Sequence, residues 1–397
     1  MIDSAVQRNT NAVAFDWLIG QSQSPSDLVQ KLVGARGPHG QPARIALLVK
    51  NLNLSGGNRV IFSLFDRLQS SLNAELHVFV VPDAKRHIKE FFDLAACRRR
   101  YGLAASVTRI SRPIDPDKFD LVISTSRRTL DFVRDLASPR HVHLLQAIEA
   151  WDTLNSESFC RFCVERRYPT PAECVELVRT IGFPRDVRYL EQIIASRRFL
   201  TVSEYMASAI RYAGQSQDVI ISEPELEIRG TVSPVEKAID FLFFVRGFPY
   251  NGDALAITVA NALADRFRIA IVAPRRAKAE LRSLEKHSHG SVVRAPPDAE
   301  LAKLFAASRV VMHPSLHNGA GFIPQEALSF GCAVVASRTG WLFSAESKSD
   351  LTIVDRHDPN IYLAEALRAL EDNFSVPPKH PALSTASGSQ LSSAQAQ

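Results

Sequence analysis

Cysteine is scarce in this chain. There are five among 397 residues, Cys97, Cys160, Cys163, Cys174 and Cys332. An odd, scattered set excludes a disulfide framework as the source of stability and fits a reducing compartment. Cys160 and Cys163 stand at metal-ligand spacing with Cys174 downstream. A zinc site wants four ligands and only three are near, so no metal is expected. Long apolar runs are missing too. No stretch reaches the roughly 20 residues needed to cross a bilayer, and the first twenty residues hold no unbroken apolar segment of the signal-peptide kind. The expectation is a cytoplasmic protein. Charge of one sign is also modest: 47 Lys and Arg against 42 Asp and Glu, interleaved along the chain. Such a balance argues for a solvated surface and against a nucleic-acid partner, and leaves room for an anionic ligand or an anionic membrane face. Two phosphate-binding signatures are absent as well, G-x-G-x-x-G and the Walker lysine, and no D-x-D-type pair offers to clamp a metal.

What is present is length, apolar content and alternation. The chain is too long for one ordinary core, and 46% of it is apolar. Short apolar runs, Ile45–Val49, Leu76–Val81, SVTRI, DLVIS and HVHLL, alternate with segments of helical spacing such as Val60–Leu68 and His87–Ala95. Continuous runs of four to six between helices indicate a parallel sheet covered on both faces. The pattern breaks over 152–197, which is charged and mostly helical, and resumes with FLTVS and the helix EYMASAIRYAG. After a polar, proline-bearing stretch at 223–236 a second series begins. Its strands are FLFFV, RIAIVAP, SVVRAP, VVMHPS, CAVVAS and DLTIV. Its helices are GDALAITVANALADRF, AKAELRSLEKH, AELAKLFAASR, PQEALSF and PNIYLAEALRALEDN. The expected class is α/β with two doubly wound, Rossmann-like domains facing a cleft. Residues 1–42 form an extension, 43–225 the first domain with an insertion at 152–197, 226–375 the second domain, and 376–397 a disordered tail.

Ligands in such sheets bind where strands end. After Ile45–Val49 a loop with Ser55-Gly56-Gly57 leads into a helix. Glycines allow close backbone approach, and a helix N-terminus offers N–H groups to a phosphate or a polar sugar; a plain turn is the alternative. Arg246 ends the second domain's first strand, where a guanidinium can fork onto a diphosphate or simply face water. In HPSLHNGAGFIPQEALSFGCAVVAS a strand leads through Gly319 and Gly321 into a helix expected to begin near Pro324. Glu326 stands at its start, where a carboxylate is electrostatically favoured and can also accept from two vicinal hydroxyls. Arg98-Arg99-Arg100 reads as a solvated helix end or as a contact with anionic lipid.

These residues resemble a known family. The stretch from His313 to Gly340 is similar to the donor-site signature of the retaining glycosyltransferases of family four, the group 1 glycosyl transferases, which have the GT-B fold. Pro314, Ser315, Gly319, Gly321, Glu326, Ala327, Gly331, Val334, Val335, Ala336 and Ser337 stand at matching spacing, and the proline is one position off, at Pro324. LSGGNRVIFSL resembles the family's glycine loop, and RRFLTVSEYMASAI the elements before its hinge. HVHLLQAIEAW resembles a Q-x-x-E-x-W stretch of rhamnosyltransferase-like members that act on bacterial surface polysaccharides. The resemblance spans roughly 43–372. It implies an acceptor domain followed by a nucleotide-sugar donor domain. Glu326 would hold the ribose, and the backbone of Gly319, Ala320, Gly321 and Phe322 would face the sugar and diphosphate. Arg246 would neutralise the leaving group, Gly56 and Gly57 would close over the donor from the opposite domain, and Gln146 and Glu149 would lie near the sugar or the acceptor. No cofactor or metal is implied, only a nucleotide sugar and a glycan or lipid-linked acceptor, with peripheral contact on the inner membrane face as an open alternative.

Two departures stand out. The first of the family's paired glutamates is Asn318 here, and the lysine expected after the arginine is Asn251. Asn318 keeps a place among the catalytic candidates with Arg246, since an amide can still bond a sugar hydroxyl, and Asn251 among the donor contacts. Losing a cation at the leaving group costs transition-state stabilisation, for which Lys50, Arg275 or Arg276 would have to substitute. The alternatives to an active transferase are a catalytically weak or inactive GT-B subunit and a nucleotide-sugar epimerase on the same fold.

Overall fold

The computed structural model describes residues 42–50, 60–62, 64, 74–82, 106–147, 157–214, 218–221, 235–247, 249–274, 281, 284–319 and 321–375. Gly56, Gly57, Glu149, Ala320, Arg98 to Arg100, Arg275, Arg276, the 87–95 helix, most of the 223–236 stretch, the N-terminal extension up to residue 41 and the tail lie outside the described residues.

Two all-parallel sheets organise the chain. The first has the order β3-β2-β1-β4-β5-β6-β7, from β1 (Ala43–Val49), β2 (Ala74–Val80), β3 (Ser106–Arg109), β4 (Leu121–Ser124), β5 (His141–Leu145), β6 (Arg198–Thr201) and β7 (Asp218–Ile221). The second has the order β10-β9-β8-β11-β12-β13, from β8 (Ile239–Phe244), β9 (Ile269–Ala273), β10 (Gly290–Arg294), β11 (Ser308–His313), β12 (Ala333–Ser337) and β13 (Leu351–Val354). Central strands are buried along their length. In β1, Ile45 to Val49 are all fully enclosed, and β12 is buried throughout. Runs without polar alternation therefore sit between two helical layers. Strand order reverses between β1 and β4 and between β8 and β11, the points at which ligands bind in sheets of this kind.

Besides helical residues at 60–62 and 64, the helices among the described residues are α1 (Arg127–Leu130), α2 (Glu157–Glu165), α3 (Pro171–Ile181), α4 (Pro184–Ala195), α5 (Glu204–Gly214), α6 (Asp253–Leu263), α7 (Asp298–Ala307), α8 (Phe322–Ser329) and α9 (Pro359–Ser375). Local chemistry explains their starts. Thr170 accepts from the Glu173 N–H at 3.2 Å while Glu173 accepts from the Thr170 N–H at 2.8 Å, a capping box with Pro171 in the first turn. Asp253, 1% exposed, accepts from the backbone N–H of Arg246 at 3.1 Å and of Gly247 at 2.7 Å, tying the end of β8 to the start of α6.

Three elements differ from the sequence reading. DVII forms the edge strand β7, which the polar residues around it hide. The stretch read as the helix AKAELRSLEKH shows only 3-10 structure among its described residues, at Leu281 and Leu284–Lys286. α8 begins at Phe322, ahead of Pro324, because Gly321 takes the left-handed conformation (φ 62°) at the cap and so turns the chain into the helix two residues early.

Candidate functional site

A cleft of about 530 Å³ lies at the β8/β11 switch point, where the strand ends of the second sheet face the first domain. The structure brings together Gln146, Arg246, Asn251, Asn318, Gly319, Gly321, Phe322 and Glu326 along its walls, with Val60 and Ala147 completing the first domain's share.

The two loops carrying these residues are stitched to each other. The Tyr250 carbonyl accepts from Leu316 N at 2.9 Å and from His317 N at 3.2 Å. Gly252, at φ 73°, lets the β8–α6 turn lie against the Pro314 carbonyl; a Cβ there would fall 1.6 Å from that oxygen. Asn251 is buried beside this contact.

Asn318 is spent largely within its own loop. Its Nδ2 lies 2.9 Å from His313 Nε2, and its Oδ1 accepts from the Gly321 N–H at 3.1 Å. The Gly321 N–H, expected to face sugar and diphosphate, is thus already donated. One N–H and one lone pair of the amide remain for another partner. His313 must accept at Nε2, so its ring is neutral. Burial, reinforced by the nearby Arg246 charge, pushes its pKa down to about 3. His317 is buried alongside and likewise lowered, to about 3.

Behind the loop, Trp341 Nε1 donates to the Gly321 carbonyl at 3.0 Å, and a Cβ on Gly321 would meet the indole at 2.5 Å. Glu326 is 2% exposed on the first turns of α8, and Arg246 is exposed at the mouth of the cleft. At the apolar end stand Phe244, Ala273, Pro274 and Pro296. Ala295 joins them at φ 46°, the one non-glycine positive φ among the described residues, and its N–H donates to Ala273 O at 2.7 Å. The first domain closes over the opposite end. A Cβ on Gly319 would fall 1.7 Å from the Gln146 carbonyl oxygen, so the lobes touch through main chain.

Asp253, Trp341 and Ala295 escaped the sequence reading. Asp253 carried a usable signal, an acid directly after Asn-Gly at a helix start; the other two act through distant partners. Among the described residues no cluster of His, Cys, Asp and Glu could hold a metal ion, the Cys160–Cys163–Cys174 group included.

Residues 240–373 match the family model described as glycosyl transferases group 1. Solved structures with similar coordinates include sucrose-phosphate synthase from Thermosynechococcus elongatus (15% identity, 84% of this chain and 90% of that one, TM-score 0.57). Another, titled trehalose-6-phosphate from E. coli bound with UDP-2-fluoro glucose, gives 14% identity, 84% and 93% coverage and a TM-score of 0.53. WaaG, a glycosyltransferase involved in lipopolysaccharide biosynthesis, gives 12%, 83%, 94% and 0.51. The fold is GT-B. No curated protein matches the chain by sequence. The domain match and the shared fold support a nucleotide-sugar glycosyltransferase.

Proposed function

We propose that this chain moves a sugar from a nucleotide-diphosphate sugar to a glycan or lipid-linked acceptor with retention of anomeric configuration, in bacterial surface-polysaccharide assembly. One observation carries the reading. Arg246 and buried Glu326 line a single cleft at the strand-order reversal of the second sheet, with Gln146 of the first domain across from them.

In this reading Glu326 accepts two hydrogen bonds from the ribose hydroxyls. As the glycosidic bond to phosphate breaks, negative charge builds on the departing diphosphate. Arg246 meets it with paired N–H donors, its backbone fixed by Asp253 so that little reorganisation is needed. The amino end of α8 adds a favourable potential, and no metal or cofactor is called upon. Gln146 lies on the acceptor side, and Glu149, outside the described residues, is assigned there with it. Among the described residues no helix is long and apolar enough to cross a membrane. A lipid-linked acceptor would be met by peripheral contact at the inner face.

Two residues favour a second reading, a catalytically weak or inactive subunit that binds glycan or supports a partner transferase. Asn251 brings no charge to the leaving group, and most of the Asn318 amide is committed to His313 and Gly321. Donor hydrolysis separates the two: slow release of nucleoside diphosphate supports the enzyme, and tight binding without turnover supports the subunit. The founding test is a thermal-shift screen of nucleoside diphosphates and their sugars on the wild type and on Glu326→Ala. Ligands should raise the Tm of the wild type only. A rise that survives Glu326→Ala unchanged removes the ribose contact from the mechanism.

A further inference from the structure

Helices α2 to α4 fill the insertion between β5 and β6 and pack as part of the first domain. Phe159, Val178, Leu190 and Ile193 share one core with Phe199 and Met206. A tyrosine pegs them to the sheet. Tyr189 OH lies 3.2 Å from His143 Nε2. Ser124 Oγ lies 2.7 Å from His143 Nδ1 and 2.8 Å from His141 Nε2, and His141 Nδ1 is 3.1 Å from the Leu136 carbonyl. The carbonyl can only accept, so the protons are fixed in turn: His141 Nδ1 donates to Leu136, Ser124 to His141, His143 to Ser124, and Tyr189 to His143.

A second tyrosine leaves the first domain. Tyr168, in the turn between α2 and α3, places its hydroxyl 2.9 Å from His357 Nδ1, 3.0 Å from Ser337 Oγ and 3.2 Å from Tyr362 OH, and Ser337 and Tyr362 lie 2.8 Å apart. Tyr362 donating to Ser337, Ser337 to Tyr168 and Tyr168 to His357 uses each hydroxyl hydrogen once. Two backbone bonds flank this chain, Tyr168 N to Asp355 O at 2.7 Å and His357 N to Cys163 O at 3.1 Å. All four side chains are buried. The imidazole of His357 packs on Gly252, where an added Cβ would lie 3.4 Å from its Cε1, and Gly252 closes the turn bearing Arg246 and Asn251.

We infer that Tyr168 is a positioning residue: through its hydroxyl the helical insertion of the first domain sets the Arg246–Asp253 turn of the second. A hydrogen-bonded chain of buried side chains favours one geometry, because each broken link strands a buried polar atom. Its effect on binding rests on the donor-site reading above; its effect on structure does not.

Tyr168→Phe removes the hydroxyl and keeps the ring. Tyr189→Phe removes an equivalent hydroxyl from the same insertion, one bonded to His143 of the first domain's own sheet, and serves as the control. Hydrogen exchange on the full chain should show faster exchange at 249–256 and 355–358 in Tyr168→Phe, and at 141–145 and 184–195 in Tyr189→Phe. Titration with uridine, guanosine and adenosine diphosphates should show affinity falling about five- to thirtyfold in Tyr168→Phe and unchanged in Tyr189→Phe, although both variants lose Tm. Wild-type exchange at 249–256 in Tyr168→Phe, or an equal loss of affinity in Tyr189→Phe, overturns the assignment. If the wild type binds no nucleoside diphosphate in the thermal-shift screen, the donor reading fails, and the exchange data alone decide the role of Tyr168.

Discussion

Lowering the pH from 7.5 to 5.5 should cost this protein several kcal/mol of stability, through histidines rather than carboxylates. Burial holds five imidazoles neutral. His141 and His357 are lowered to about 4, and His143, His313 and His317 to about 3. In the unfolded chain each returns to an ordinary value of about 6.5. The unfolded state therefore binds more protons than the folded one between roughly pH 6.5 and 3, so stability is complete above that window and falls as pH drops through it. At pH 5 the difference is about four to five protons, a slope on the order of 6 kcal/mol per pH unit. Integrated from pH 7.5 to 5.5, each histidine costs on the order of 1 kcal/mol, so the five together, spread over two domains, remove a substantial share of the roughly 5–15 kcal/mol that holds a typical domain. His141 and His143 belong to the first domain and the other three to the second, so the second should unfold at the higher pH. Urea denaturation followed by circular dichroism at pH 7.5, 6.5 and 5.5 measures the loss. A fall under about 1 kcal/mol over that range would refute the neutral-histidine account, because ordinary carboxylates are still ionised there. Proton NMR gives an independent check: none of the five imidazoles should titrate above pH 5 in the folded protein.

Arg246→Ala should lower kcat by about two to three orders of magnitude with a smaller change in nucleotide affinity, since its charge opposes a charge that grows during the reaction; equal losses in both would place it in ground-state binding. Asn318→Asp sets an oxygen against the accepting Nε2 of His313 and should cost about 1–3 kcal/mol in urea denaturation, whereas an unchanged midpoint would show that the Nδ2–His313 bond is not made. Gly321→Ala forces a Cβ to 2.5 Å from Trp341 at a left-handed position. It should shift the indole fluorescence and destabilise by at least about 1 kcal/mol, and an unaltered spectrum would argue against the contact.

The strands were legible because a parallel sheet covered on both faces must be written as apolar runs, and Ile45–Val49, Phe241–Val245 and Cys332–Ser337 are such runs. β7 was missed because an edge strand has one neighbour; its residues are only half enclosed, so DVII reads like the approach to a linker. The glycine-rich loop before α8 and the arginine after β8 stood out because backbone approach and anion binding restrict residue choice locally. Asp253, Trp341 and Tyr168 did not. Tyr168 meets Tyr362 and Ser337 across more than 160 positions of chain, and nothing in RRYPTP marks a side chain bound for another domain. Asn318 looked like a substitute for a glutamate; only the fold shows its amide anchoring a turn.

The contact between the Gln146 carbonyl and Gly319 sets an unusual rule for variation at the domain junction. Main chain seats against a residue without a side chain, so there is no complementary pair to be exchanged for another. Every replacement of Gly319 adds bulk and acts in the same sense, wedging the molecule ajar whatever its polarity. The side chain at position 146 is under no such constraint from this contact. Drift set by this contact should therefore be one-sided, with a single glycine codon acting as doorstop and only the backbone of its partner engaged.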